Sequence, residues 1–96
     1  MAQADIDIRN PSGLHARPAA NFVRAASAFA SEVRVTNLTR DPAASASAKS
    51  VISVMGLGVA RGHRVRLEAD GADADDAIAS LVALIAGGLG EELDGG

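Results

Sequence analysis

The chain holds only two histidines, and one of them, His15, stands in the stretch "NPSGLHARPAANFV", residues 10–23. Arg17 and Pro18 follow it within three residues. A proline so close to an apolar, helix-like run marks a helix start, because only there are backbone N–H groups without helical partners. A histidine at the N-cap of that helix faces free amides and the positive end of the helix dipole, which together attract an anion. Arg17 adds a permanent planar cation suited to phosphate oxygens. A neutral imidazole beside such donors is a nucleophile that can accept a phosphoryl group and keep it, since the donors already point at the arriving charge. No carboxylate lies close in sequence to activate water, so these residues suit a carrier better than a phosphatase.

The elements that must position these residues follow from periodicity. "ADIDIR", Ala4 to Arg9, alternates with Ile6 and Ile8 on one side and predicts a strand; "NPSG" predicts a turn. Ala19, Phe22, Val23, Ala26, Phe29 and Ala30 recur at three- and four-residue spacing, which predicts a helix from Ala16 to about Ala30. Ser31 to Leu38 alternates through Val33 and Val35, and a short weak strand is expected near Ala44 to Ala46 in a small, polar loop. "KSVISVMGLGVARG" suits a short helix with Ser50 as N-cap and Gly56 or Gly58 as stop, although its β-branched residues also allow a strand. His63 to Ala69 is a strand through Val65 and Leu67. Asp73 is placed as N-cap of a last helix, Ala74 to Ala86, with Ala74, Ala77, Ile78, Leu81, Leu84 and Ile85 as its buried stripe. Gly87 and Gly88 end it or begin its fraying. The order β-α-β-(β)-α-β-α predicts an α+β sandwich with helices over one face of a sheet and water on the other.

Ninety-six residues make one domain, expected over residues 1–90, with residues 91–96 as a loose tail. Apolar residues are 48% of the chain but aromatics only 2%, so Val, Ile, Leu and Ala must fill the core. With no cysteine, disulfides and thiolate metal sites are excluded. No metal or cofactor is expected. No run approaches the ~18 apolar residues of a membrane helix, and the N-terminus has no signal-peptide pattern, so a cytoplasmic protein without membrane insertion is expected. The net charge of −3 and the lack of basic blocks or stacking aromatics argue against nucleic-acid binding. Basic residues gather in the first half and acidic ones late, which suggests a locally basic working face.

At this point the residues match a known family. "NPSGLHARPAANFV" resembles the active-site signature of HPr, the histidine-containing phosphocarrier of the phosphoenolpyruvate-dependent sugar phosphotransferase system. "AKSVISVMGLGVARG" resembles its second signature, around a regulatory serine, and "LEADGADADDAIASLVALI" its last strand and helix. The resemblance covers nearly the whole chain. It implies a four-stranded antiparallel sheet in order 1-4-2-3 under three helices. It also implies phosphorylation of His15 on Nδ1 by phospho-Enzyme I, with onward transfer to enzyme IIA proteins. Arg17 matches the phosphate-contacting arginine, with Ser12 and Ala16 beside it at the phosphate. Ser50 matches the serine that HPr kinase/phosphorylase modifies in many members, although Ser53 stands where glycine is usual. Val51, Ile52 and Met55 match an exposed apolar docking patch, with Ala20, Arg24 and Lys49 around it; by helical spacing alone, the first three share one side of a short helix. A monomer is expected.

Three functions fit these residues. The chain is a carrier for sugar uptake, a nitrogen-type regulatory carrier of the same fold, or a serine-phosphorylated corepressor. A phosphoryl-accepting His15 argues against regulation alone. A small-ligand-binding α+β module would explain the fold but not the two signatures.

Overall fold

The computed structural model describes residues 1–91, and its architecture follows from two periodicities, two along the strands and 3.6 along the helices. Four strands, β1 (Ala2–Asp7), β2 (Glu32–Asn37), β3 (Ser45–Ser47) and β4 (Arg64–Asp70), form one antiparallel sheet in the order β1-β4-β2-β3. Three helices, α1 (Ala16–Ser27), α2 (Val51–Gly56) and α3 (Ala74–Ala86), complete the fold. The sheet order and the open-faced α+β sandwich agree with the sequence-based expectation.

Alternation sets which face of the sheet is covered. Val33 and Val35 of β2 and Val65, Leu67 and Ala69 of β4 point into the core. They meet Phe22 of α1 and Leu81 and Ile85 of α3, all of them buried. The intervening residues carry the open face. Asp5 lies opposite Arg66 in the β1–β4 register and takes two hydrogen bonds from it, at 2.8 and 3.0 Å. Asp7 lies opposite Arg64, which reaches it at 3.3 Å. Paired charges on a wet face add little stability, but they disfavour a one-residue slip that would carry Arg64 and Arg66 into the core.

Several boundaries move for identifiable reasons. Helix α1 stops at Ser27 rather than near Ala30, and Ala30 is exposed instead of lying on the buried stripe. The chain turns there because Asp73 reaches across from the start of α3. Its carboxylate accepts from the backbone N–H groups of Ala30 and Ser31, both at 2.9 Å, and from the Ser31 hydroxyl. Asp73 does occupy the N-cap position of α3, but it makes no side-chain capping bond, which corrects the expected role. Strand β1 lies two residues earlier than expected, β2 starts one residue later, and β3 covers Ser45–Ser47 instead of Ala44 to Ala46. The ambiguous segment after Ser50 is helical, with the Ser50 hydroxyl accepting from Ser53 N–H at 3.3 Å.

The exit of α3 is a Schellman turn. Leu89 N–H bonds Leu84 O and Gly88 N–H bonds Ile85 O, both at 3.0 Å, with Gly88 at φ +96° in the left-handed position such a turn requires. Leu89 is then fully buried. The chain therefore returns to the body of the protein instead of fraying at Gly88, and the carboxylate of Glu91, expected in a loose tail, accepts three hydrogen bonds. The rest of the expected tail, residues 92–96, lies outside the described residues.

Candidate functional site

His15 is the N-cap residue of α1, with extended backbone at φ −128° and ψ 154°. Its side chain makes no capping hydrogen bond, so the imidazole is not consumed in holding the helix. The ring is exposed, while Leu14 before it is fully buried and its N–H is fastened to Val59 O at 3.0 Å. An anchored residue directly behind an exposed one fixes where the imidazole leaves the surface. Gly13 makes this approach possible: a Cβ there would sit 2.3 Å from Val59 O, and its φ of +61° is left-handed.

Ala16 has φ +51°, a conformation that costs a non-glycine residue about 1–2 kcal/mol. This feature had no sequence signal, because alanine, unlike glycine or asparagine, has no preference for that conformation. Pro18, buried in the first turn, cannot supply an N–H, so the free amides at the helix start come from the residues around Ala16 and Arg17. Arg17 is exposed and ion-pairs with none of the described carboxylates, which leaves its guanidinium available to an arriving anion.

The remaining candidates fall into two groups. Val51, Ile52 and Met55 are exposed large apolar residues on α2, with Ile52 at 86% exposure, while Val54 of the same helix is fully buried. α2 packs against α1, which brings this patch to the element that carries His15. Ala20 is half-buried on α1 and Arg24 exposed in its last turn. Lys49 is exposed and donates from Nζ to Phe29 O at 2.8 Å, just past the end of α1. Ser50, half-buried, caps α2 between Lys49 and the apolar patch.

Ser12, expected beside the phosphate, is bonded to a carboxylate in the unphosphorylated chain. Its N–H and hydroxyl both go to the carboxylate of Glu91, at 3.0 and 2.8 Å. The Asn10 amide donates to the same carboxylate at 2.9 Å and to Gly13 O at 2.8 Å. These bonds, the Asn10 amide foremost and then the two from Ser12, hold the Glu91 carboxyl below the usual carboxylate range, against a smaller opposing effect of burial. Glu91 is the residue that sequence reasoning missed, because the contact spans 79 residues and no local pattern marks it. Among the described residues, no three His, Cys, Asp or Glu side chains gather where a metal ion could sit. No helix among them is long and apolar enough to cross a membrane.

A family model described as the PTS HPr component phosphorylation site matches residues 2–87. The chain belongs to the HPr family. It is 44% identical over 85 residues to the phosphocarrier protein HPr of Haemophilus influenzae, covering 88% of this chain and 95% of that one. It is also 50% identical over 86 residues to the multiphosphoryl transfer protein of the same organism, covering 90% of this chain but only 17% of that longer protein. Among solved structures, HPr-C-His from Thermoanaerobacter tengcongensis superimposes with a TM-score of 0.88 at 45% identity, covering 97% of this chain and all of that one. The HPr family is thus shown by sequence and by fold together.

Proposed function

We propose that this chain is a phosphotransferase-system phosphocarrier in which His15 receives a phosphoryl group from phospho-Enzyme I on Nδ1 and passes it to an enzyme IIA. The observation that carries the reading is the placement of His15. It is an exposed imidazole at a helix N-cap, free of any capping bond, with an arginine two residues on that ion-pairs with none of the described carboxylates. In the transfer, the Nδ1 lone pair forms the new N–P bond while the donor's histidine nitrogen keeps the electron pair of the bond that breaks. The ring proton remains on Nε2. Arg17 and the amides at the helix start receive the phosphoryl oxygens, and that interaction strengthens as charge builds on them. The Glu91 carboxylate brought to the preceding turn is taken up by the Ser12 and Asn10 donors, which favours holding the group for a second protein over hydrolysis.

The apolar patch of Val51, Ile52 and Met55 would dock both partners, with Ala20, Arg24 and Lys49 at its border. The basic residues suit acidic partner surfaces. Phosphorylation of Ser50 by a serine kinase would place about two negative charges inside that patch and weaken docking without unfolding α2, since the modified residue sits at a helix start. The chain would work in the cytoplasm as a monomer.

Incubation with Enzyme I and labelled phosphoenolpyruvate tests the reading. Wild type is expected to acquire acid-labile label and His15→Ala none. Label that persists on His15→Ala, or an unlabelled wild type with its cognate Enzyme I, overturns it.

A further inference from the structure

The turn that precedes His15 already holds an anion. Ser12 N–H and Asn10 Nδ2 both donate to Oε1 of Glu91, and the Ser12 hydroxyl donates to Oε2. The carboxylate is delivered there by a built path. The Schellman turn at Gly88 reverses the chain after α3, Leu89 is fully buried, and Asn21 of α1 donates to Leu89 O at 3.1 Å. Glu91 N–H then bonds Gly88 O at 2.9 Å. Asn10 is itself fully buried, and its Nδ2 is held by two acceptors while its Oδ1 has no partner among the described residues. The side chain that organises the turn therefore depends on Glu91 for half of its bonds.

We infer that Glu91 is a positioning residue for phosphoryl transfer, whose carboxylate occupies the Ser12 donors in the unphosphorylated protein and disfavours the phosphorylated one. This rests on the phosphocarrier reading of His15. Ser12 lies three residues before His15, so their Cα atoms are at most about 10 Å apart even in an extended chain. That is close to the screening length of about 8 Å at physiological salt, so a phosphoryl dianion on His15 repels a carboxylate seated at Ser12. The same two Ser12 donors cannot serve both anions in full. Phosphorylation and the seating of Glu91 therefore oppose each other. The consequence is a raised phosphoryl-transfer potential: the group is accepted less firmly and released to the next protein more readily.

Two substitutions separate charge from clamp. Glu91→Gln keeps Oε1 for Ser12 N–H and Asn10, lets its amide donate to the Ser12 hydroxyl, and removes only the charge. Glu91→Ala removes both. Wild type and variants, each with a thermal melt to establish folding, are equilibrated with Enzyme I at one fixed phosphoenolpyruvate-to-pyruvate ratio. The phosphorylated-to-free ratio at His15 is read by 31P NMR. We expect that ratio to rise about threefold for Glu91→Gln and more for Glu91→Ala. A merely structural clamp would leave the ratio unchanged or lower it, and either result overturns the inference. A second measurement needs no variant: the Ser12 amide and Glu91 carboxyl resonances of wild type must shift on phosphorylation, and unshifted signals overturn the inference equally. Phosphoramidate, which phosphorylates histidine without an enzyme, separates the two levels. A wild type that takes label from neither phosphoramidate nor Enzyme I refutes the carrier reading itself, whereas a labelled wild type with unresponsive variants refutes only the role of Glu91.

Discussion

The carboxamide of Asn37 donates to Nδ1 of His63 across 3.1 Å, although 26 residues separate them. The direction follows from the other bonds of Asn37. Its Oδ1 accepts from Thr39 N–H and Arg40 N–H at 3.2 Å each, so its Nδ2 must face His63 and Leu57 O. His63 Nδ1 also accepts from Ala60 N–H at 3.1 Å. With two donors aimed at Nδ1, the neutral ring carries its proton on Nε2. The second histidine of the chain thus joins the end of β2 to the loop after α2, a structural task that explains why it fits no site chemistry.

Asn37→Ala removes a buried side chain that joins four groups. We expect a loss of about 2–3 kcal/mol, because backbone groups are left without partners and not merely because bonds disappear. Urea denaturation measures the loss, and 15N NMR of the His63 ring checks the Nε2–H tautomer in wild type.

Gly88 sits at φ +96° in the turn after α3, where a Cβ is strained whatever space surrounds it. Gly88→Ala should cost about 1–2 kcal/mol in thermal or urea unfolding. The change at Gly56, which meets nothing within 4 Å and has no positive φ, should cost far less and serves as the comparison.

Asp73 ties the end of α1 to the start of α3. Its carboxyl is held below the usual range, first by the Ser31 hydroxyl and then by the Ala30 and Ser31 amides, with desolvation opposing. A group whose folded pKa is depressed contributes stability that is fully present above its unfolded value, near 4. That contribution is lost as the pH falls through the lower folded value. Acid titration followed by amide exchange should therefore show Ala30 and Ser31 losing protection as the pH falls below about 4, and Asp73→Asn should remove that pH dependence.

Ile52 stands 86% exposed beside the buried Val54. Ile52→Ala should change stability by no more than about 0.5 kcal/mol, because no core contact is lost. If the patch docks Enzyme I, the same change raises KM for the carrier in the Enzyme I reaction while leaving the melting curve in place. A normal KM removes Ile52 from the interface.

Much of the fold was legible because local pattern and tertiary environment agree. Val33, Val35, Val65 and Leu67 alternate as a half-buried sheet demands, and Phe22, Val23 and Ala26 form the stripe that α1 buries. His15, Arg17 and Pro18 advertise a helix start with anion chemistry through residue type and spacing alone. Segments whose ends are set by distant partners were misjudged. The end of α1 depends on Asp73, 43 residues from Ala30, and periodicity carries no trace of it.

The sequence by itself determined the order of elements, the buried faces and the helix start that carries His15, since each depends on neighbours within a few residues. Only the tertiary structure decided which donors at the site stay free. The family resemblance places Ser12 beside the phosphate. The folded chain brings Glu91 to it from 79 residues away, and that carboxylate takes both of its hydrogens. It likewise decided that Ala16 takes a left-handed backbone at φ +51°, an outcome its own side chain disfavours. The physical reason is common to both. Hydrogen bonds and backbone strain at a site are settled by groups that meet only after the sheet and helices have closed on one core.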